Sequence, residues 1–152
     1  MGLIASALPR SLKEHFIRRQ LVSGSVVKIL VAFGGQPAKL KRLVVLSATD
    51  SIVCVVVNSE LHPILAKSPA TKRAQIAVTP ADGNFIEHDS FINCAEVRTF
   101  STAAVIAELV ADPACILGNI SAEVRAKIVV ALRTSSTIPP VQTKPLIEAL
   151  GG

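Results

Sequence analysis

Residues 43–57, LVVLSATDSIVCVVV, decide the fold of this chain. Two apolar runs, residues 43–46 and 52–57, flank a Thr49-Asp50 turn signal, and this arrangement predicts a β-hairpin. The side chains of the second strand alternate between two apolar faces, with Val53, Val55 and Val57 on one face and Ile52, Cys54 and Val56 on the other. Because both faces are apolar, we predict that this strand is central in its sheet and covered on both sides.

Short strands continue on both sides of the hairpin. We predict them at residues 26–33, 39–47, 75–79 and 90–97, with a clear turn cluster at residues 80–84. These strands follow one another too closely to be linked by crossover helices, so the sheet should be antiparallel. The predicted fold class is therefore α+β and mostly β, a small antiparallel barrel or curled sheet with helices at one end. Residues 61–73 lack periodicity and are predicted to form a loop, with or without a short strand.

Helical patterns lie at both ends of the chain. Apolar side chains recur at helical spacing within residues 9–21, at Leu12, Phe16, Ile17 and Leu21. This basic amphipathic helix either packs on the body of the protein or anchors a partner, a phosphate backbone or a membrane surface. Two further helices are predicted, one capped by Ser101 or Thr102 and one running from the cap Ser121 to Arg133. Between them, residues 115–120 are predicted to be an apolar connection with a turn at Gly118-Asn119.

Three regions follow from these patterns. Residues 1–24 form the N-terminal basic helix, residues 25–135 the barrel with its C-terminal helices, and residues 136–152 a tail. The tail carries one short helix at residues 146–150, and Gly151-Gly152 is predicted to be a frayed end.

The amino-acid composition argues against several classes of protein. The chain has 152 residues, with 16 Lys and Arg against 11 Asp and Glu, a net charge of +5. Five Phe and no Tyr or Trp argue against an RNA-recognition sheet that stacks bases on exposed rings, but not against binding through phosphates. No apolar run is long enough for a transmembrane helix, and the order of apolar and charged residues at the N-terminus does not match a signal peptide. We therefore expect a cytoplasmic protein without membrane association.

Cysteine and histidine spacing predicts no cofactor or metal. Cys54, Cys94 and Cys115 are an odd number of thiols in apolar contexts without a C-x-x-C motif, which favours reduced, buried side chains. The three histidines are far apart in sequence and form no ligand motif. No Walker loop or dinucleotide fingerprint occurs.

Three strings follow one another in a characteristic order. Residues 39–47, KLKRLVVLS, begin with basic residues and continue as an apolar strand that ends in Ser. Residues 88–94, HDSFINC, end in Cys and are followed by Glu96 and Arg98-Thr99, and residues 118–121, GNIS, come before a predicted helix. In this order the strings resemble the PemK/MazF-like toxin family, which has a basic residue before an apolar strand ending in Ser, a strand ending in Cys before an acidic residue and Arg-Thr, and a similar start to its closing helix. The resemblance covers residues 25–135.

The resemblance implies a fold and a function. Family members are SH3-like barrels, usually homodimeric, and are typically sequence-selective endoribonucleases neutralised by an antitoxin whose tail fills the RNA groove. The expectation is a toxin-like component of a toxin–antitoxin or phage-defence module, with RNA as substrate, an antitoxin or other protein as partner, and no cofactor.

Metal-independent RNA cleavage needs a base for the 2′-hydroxyl proton, an acid for the leaving oxygen and a cation for the phosphorane charge. The candidate catalytic residues are His88, Asp89, Arg42 and Arg98. Each has a plainer interpretation: His88 as a turn residue that caps backbone groups, Arg42 as a strand-edge charge, and Arg98 as the ion-pair partner of Glu96. The cations assigned to RNA binding are Lys39, Lys41, Lys72 and Arg73.

Two positions depart from the family pattern. The plasmid toxins typically carry an Arg before the Cys and an acidic residue directly after it, where this chain has Asn93 and Ala95. Neither side chain supplies charge or transfers a proton. The alternative function is therefore a catalytically inactive barrel that binds protein or nucleic acid. A third is a nucleic-acid accessory protein that uses the basic N-terminal helix.

Overall fold

The computed structural model describes residues 8–32, 34–61, 63 and 67–152. The elements in chain order are α1 (Arg10–Gln20), β1 (Ser25–Val31), β2 (Lys39–Ala48), β3 (Ser51–Asn58), α2 (Pro69–Arg73), β4 (Gln75–Val78), β5 (Ser90–Ser101), α3 (Thr102–Ala111), β6 (Ile116–Asn119), α4 (Ala122–Arg133) and α5 (Pro140–Ala149). Six antiparallel strands form a curled half-barrel in the order β4-β5-β3-β2-β1-β6. The predicted α+β class with an antiparallel sheet is confirmed.

The hairpin predicted from residues 43–57 is confirmed as the β2–β3 pair, in which Val44 lies opposite Val55 and Val45 opposite Cys54. β3 lies between β5 and β2, inside the sheet. Its alternate side chains enter two different cores, as the sequence predicts. One core joins the sheet to α4 and α5, through residues that include Val44, Val55, Ile92, Ile128 and Leu146. The other joins it to α1 and α3, through residues that include Leu43, Cys54, Ile17, Ile106 and Leu109.

The predicted helix caps are present. The Ser101 hydroxyl accepts a hydrogen bond from the Ala104 amide at 3.4 Å, and the Ser121 hydroxyl accepts one from the Val124 amide at 3.1 Å. At the other end of the chain, α1 packs on the body of the protein and buries Ile17. Within the described residues, no helix is long and apolar enough to cross a membrane.

The sequence interpretation was wrong for the connection at residues 115–120. Residues Ile116–Asn119 form the edge strand β6, where Val26 lies opposite Gly118 in an antiparallel pair with β1. Gly118 has a φ of +133°, and the pairing register shifts between Val26 and Val27. The sequence did not predict this short irregular strand, because Gly118-Asn119 within a four-residue segment is typical of a turn.

The segment predicted as a tail holds a longer helix than expected. α5 has ten residues, begins at Pro140 and buries Leu146 against the sheet, so residues 136–152 contribute to the core. Its last turn is closed by Gly151, at a φ of +83°, and by Gly152, whose amide donates to the Ile147 carbonyl at 2.9 Å. This is a Schellman cap rather than a frayed end. In the segment predicted as a loop, the described residues include the short helix α2.

Candidate functional site

A groove of about 190 Å³ opens on the face of the sheet that carries α4 and α5. Its walls are the outer half of β2, the end of β3 and the segment between β4 and β5. The polar residues that line it are Lys41, Arg42, Ser59, Glu87, His88 and Ser90. The groove therefore combines the Arg42 guanidinium, a carboxylate and an imidazole at the place where the apolar core ends.

The segment between β4 and β5 is fixed at both ends. At its start, the Thr79 hydroxyl and the Asp82 carboxylate form a reciprocal capping box around a short 3₁₀ turn. Phe85 and Ile86 are then buried in the core below α4 and α5. At its end, the Ser90 hydroxyl donates to the His88 carbonyl at 2.8 Å. Because the backbone is held on both sides, the exposed residues 87–89 have defined positions at the groove.

Arg42 and Glu87 form an ion pair across this groove, with 2.8 Å between Nη2 and Oε1. The Arg42 side chain is 22% exposed and the Glu87 side chain 69% exposed, so the carboxylate faces solvent. Among the described residues, no group accepts a hydrogen bond from the buried Nε of Arg42. The ion pair with Glu87 holds the guanidinium at the groove. A guanidinium has five N–H donors, more than this ion pair uses, so its solvent-exposed part can still donate to an anion.

Two of the four candidate catalytic residues come together. Arg42 and His88 line the same groove, whereas neither Asp89 nor Arg98 is among its lining residues. Arg98 lies opposite Cys54 on β3, whereas Arg42 lies opposite Val57 on the same strand. Cys54 and Val57 are three residues apart, which corresponds to about 10 Å along the strand. Arg98 forms an ion pair with Glu96 at 3.4 Å, which agrees with its plainer interpretation.

Sequence reasoning missed Glu87. It belongs to the short mixed segment 85–88, which has no periodicity, and its partner lies on β2, 45 residues earlier. Its one sequence signal is its position beside His88, directly after the turn cluster. Only the tertiary contact between this segment and β2 shows that Glu87, rather than Asp89, is the acidic residue at Arg42.

The four cations assigned to RNA binding occupy two places. Lys39 and Lys41 alternate with Arg42 along β2, so their side chains point to the opposite face of the sheet. Lys41 borders the groove, but its ammonium donates to the Asn58 side chain at 3.1 Å. Burial lowers the pKa of Lys41, and the charge of Lys39 adds to that lowering. Lys72 and Arg73 are exposed in the last turn of α2, outside the groove.

The two positions that depart from the family pattern have structural roles. Asn93 is 5% exposed, and its Oδ1 accepts hydrogen bonds from Gln75 Nε2 at 2.7 Å and from the Ala95 amide at 3.1 Å. The Ala95 carbonyl accepts from the Thr137 hydroxyl at 2.6 Å. These bonds hold β5 where its pairing with β3 is interrupted, between Asn93 and Arg98. Neither position lines the groove.

Two of the three thiols, Cys54 and Cys94, are buried as the sequence predicts, whereas Cys115 is partly exposed. Burial raises the pKa of Cys54 and of Cys94 to about 12, although the charge of Arg98 acts against this at Cys54. Cys115 is more accessible, and burial together with the Asp112 carboxylate raises its pKa. In the part of the chain that the structure describes, no three His, Cys, Asp or Glu side chains cluster as metal ligands would.

The groove can therefore hold an anion at Arg42, with a carboxylate and an imidazole next to it for proton transfer. No protein-family model matches this chain, and a search of curated proteins finds no match.

Proposed function

We propose that this chain is a PemK/MazF-like, toxin-like protein that cleaves single-stranded RNA without a metal ion. The single observation that carries the proposal is that Arg42, Glu87 and His88 line one groove. RNA carries its own nucleophile, the 2′-hydroxyl, so these three kinds of group are sufficient for the reaction. The half-barrel would be the SH3-like barrel of the family, acting in the cytoplasm as a homodimer with an antitoxin as partner.

Each side chain has a role in the reaction. The Glu87 carboxylate takes the proton of the 2′-hydroxyl, and the 2′ oxygen forms a bond to phosphorus. The bond between phosphorus and the 5′ oxygen breaks, and the His88 imidazolium gives its proton to that leaving oxygen. Arg42 stabilises the negative charge that develops on the phosphoryl oxygens. The products are a 2′,3′-cyclic phosphate and a 5′-hydroxyl end.

The test is cleavage of a panel of RNA oligonucleotides in EDTA by the purified chain. We expect cleavage by the wild type and a loss of at least about 100-fold in the rate with His88→Ala, the typical contribution of a proton-transfer residue. His15→Ala is the matched control, because His15 is an exposed histidine on α1, outside the groove. Absence of cleavage by the wild type, or equal rates for His88→Ala and His15→Ala, would overturn the proposal.

A second candidate function is a non-catalytic binding module. The observation that favours it is that Asn93 and Ala95 are buried and engaged in structural hydrogen bonds, so they offer a substrate neither charge nor a proton. This function predicts a stable complex with a protein partner and no effect on growth when the chain is expressed. Growth inhibition that disappears with His88→Ala would contradict it.

A further inference from the structure

An exposed apolar pair continues the groove toward the end of the sheet. Leu30 and Leu40 lie directly opposite each other on β1 and β2, and they are 51% and 54% exposed. Residues directly opposite in an antiparallel pair point to the same face, so the two side chains form one aliphatic surface. We name this surface, Leu30 and Leu40, the leucine shelf.

The leucine shelf and the cation of the groove lie on the same face. Leu40 lines the groove and precedes Arg42 by two residues, which places both side chains on one side of β2 and about 7 Å apart along the strand. The Leu30 amide is held by the Glu108 carboxylate at 3.1 Å, so the strand backbone under the shelf is fixed by α3. An aliphatic surface and an anion site therefore stand side by side in a rigid arrangement.

We propose that the leucine shelf holds one nucleobase of a single-stranded RNA whose neighbouring phosphate lies at Arg42 and His88. The inference rests on the proposed function and names the element of that site that receives a base. The spacing between shelf and guanidinium is comparable to the size of one nucleotide, and the cation matches the charge of its phosphate. A base has a flat apolar face, and aliphatic side chains can cover this face and remove it from water.

The shelf explains how a chain without Tyr or Trp contacts a base. Phe85, the phenylalanine that lines the groove, is 3% exposed and belongs to the core, so its ring is not free to stack. The leucine pair provides the exposed apolar area that an aromatic platform would otherwise supply. Such a contact discriminates weakly between bases, because it uses no hydrogen bonds to their edges.

Two fluorescent probes separate base contacts from phosphate contacts. One is a random-sequence pool of 2′-O-methyl RNA heptamers, and the other is an abasic heptamer with the same phosphates. Neither has a free 2′-hydroxyl, so binding is measured by anisotropy independently of the His88→Ala cleavage test. We expect the wild type to bind the heptamer pool about tenfold more tightly than the abasic strand, which corresponds to about 1.4 kcal/mol.

The double variant Leu30→Ser, Leu40→Ser should lose this tenfold difference and keep the affinity for the abasic strand. Val130→Ser is the matched control, since Val130 is 56% exposed on α4, and it should bind as the wild type does. Equal affinity of the wild type for the two probes, or an unchanged preference in the double variant, overturns the inference. Conversion of a dimer to a monomer by the double variant in sedimentation velocity also overturns it, because the shelf would then be a contact between copies.

Discussion

Substitution of Glu87 tests whether the Arg42–Glu87 ion pair is catalytic or structural. A catalytic role predicts a large loss of cleavage rate with a small change in stability, and a structural role predicts a large loss of stability. Glu87→Gln removes the charge and keeps the size of the side chain. The pair is short, at 2.8 Å, but the Glu87 side chain is 69% exposed and water screens the attraction. Exposed ion pairs contribute about 0.2–1 kcal/mol, so we expect the free energy of unfolding to fall by less than about 1 kcal/mol.

The effect of Glu87→Gln on RNA cleavage should be much larger. A side chain that takes a proton in the transition state contributes about 100-fold or more to the rate, which corresponds to about 2.7 kcal/mol of activation free energy. The variant should therefore lose at least about 100-fold in single-turnover cleavage while it remains folded. The two measurements are urea denaturation and RNA cleavage in EDTA under the same buffer conditions.

Glu123→Gln is the matched control for this experiment. Glu123 is 74% exposed on α4 and pairs with Lys127 at 3.5 Å, so it is another exposed, ion-paired glutamate, outside the groove. We expect a similar small change in stability and an unchanged cleavage rate. The assignment of Glu87 fails if Glu87→Gln cleaves within threefold of the wild type or if the two variants lose activity equally. A stability loss above about 2 kcal/mol would show that Glu87 acts through folding.

Three further predictions concern the body of the protein. Asn93→Ala should lower the free energy of unfolding by about 1–3 kcal/mol in urea titrations, because the buried Ala95 amide and the half-buried Gln75 side chain lose their acceptor. Leu146→Ala should cost about 2–5 kcal/mol, since Leu146 is 5% exposed in the core; a loss below 1 kcal/mol would mean that α5 is not docked. At pH 8, a thiol reagent should label Cys115 faster than Cys54 and Cys94, whose thiols are buried and protonated.

The raised pKa values of Cys54 and Cys94 also give stability a pH dependence. Their ordinary value is 9.0, and burial raises each to about 12 in the folded chain. Below pH 9 both states hold these protons, and between pH 9 and about 12 only the folded state does. Unfolding then releases protons, so stability falls as pH rises through this window. Above pH 9, the free energy of unfolding of the double variant Cys54→Ala, Cys94→Ala should fall less steeply with pH than that of the wild type.

Period-two alternation in the sequence was enough to predict the centre of the fold. The two faces of residues 52–57 enter two cores because each face is apolar and each is covered by a pair of helices. The same rule fails for β6, because its four residues, one of them a glycine, are too few to show a period-two alternation. It also gives no account of α5, whose ten residues include Pro140 and Pro145, because the stability of that helix comes from docking Leu146 against the sheet rather than from local preference.

At the candidate site, the alternation of side chains along a strand predicts the position of the strand residue but not that of the loop residue. Arg42 shares a strand face with Val44 and Leu46, so its position at the rim of the core follows from the strand itself. The choice between Glu87 and Asp89 does not, because they flank His88 in a segment without a period and differ only in which one reaches β2. That contact depends on the anchoring of Phe85 and Ile86 in the core, a tertiary event that no local pattern encodes. A strand residue and a loop residue in one groove are therefore predictable to different degrees, and the carboxylate that completes the groove is the part that required the structure.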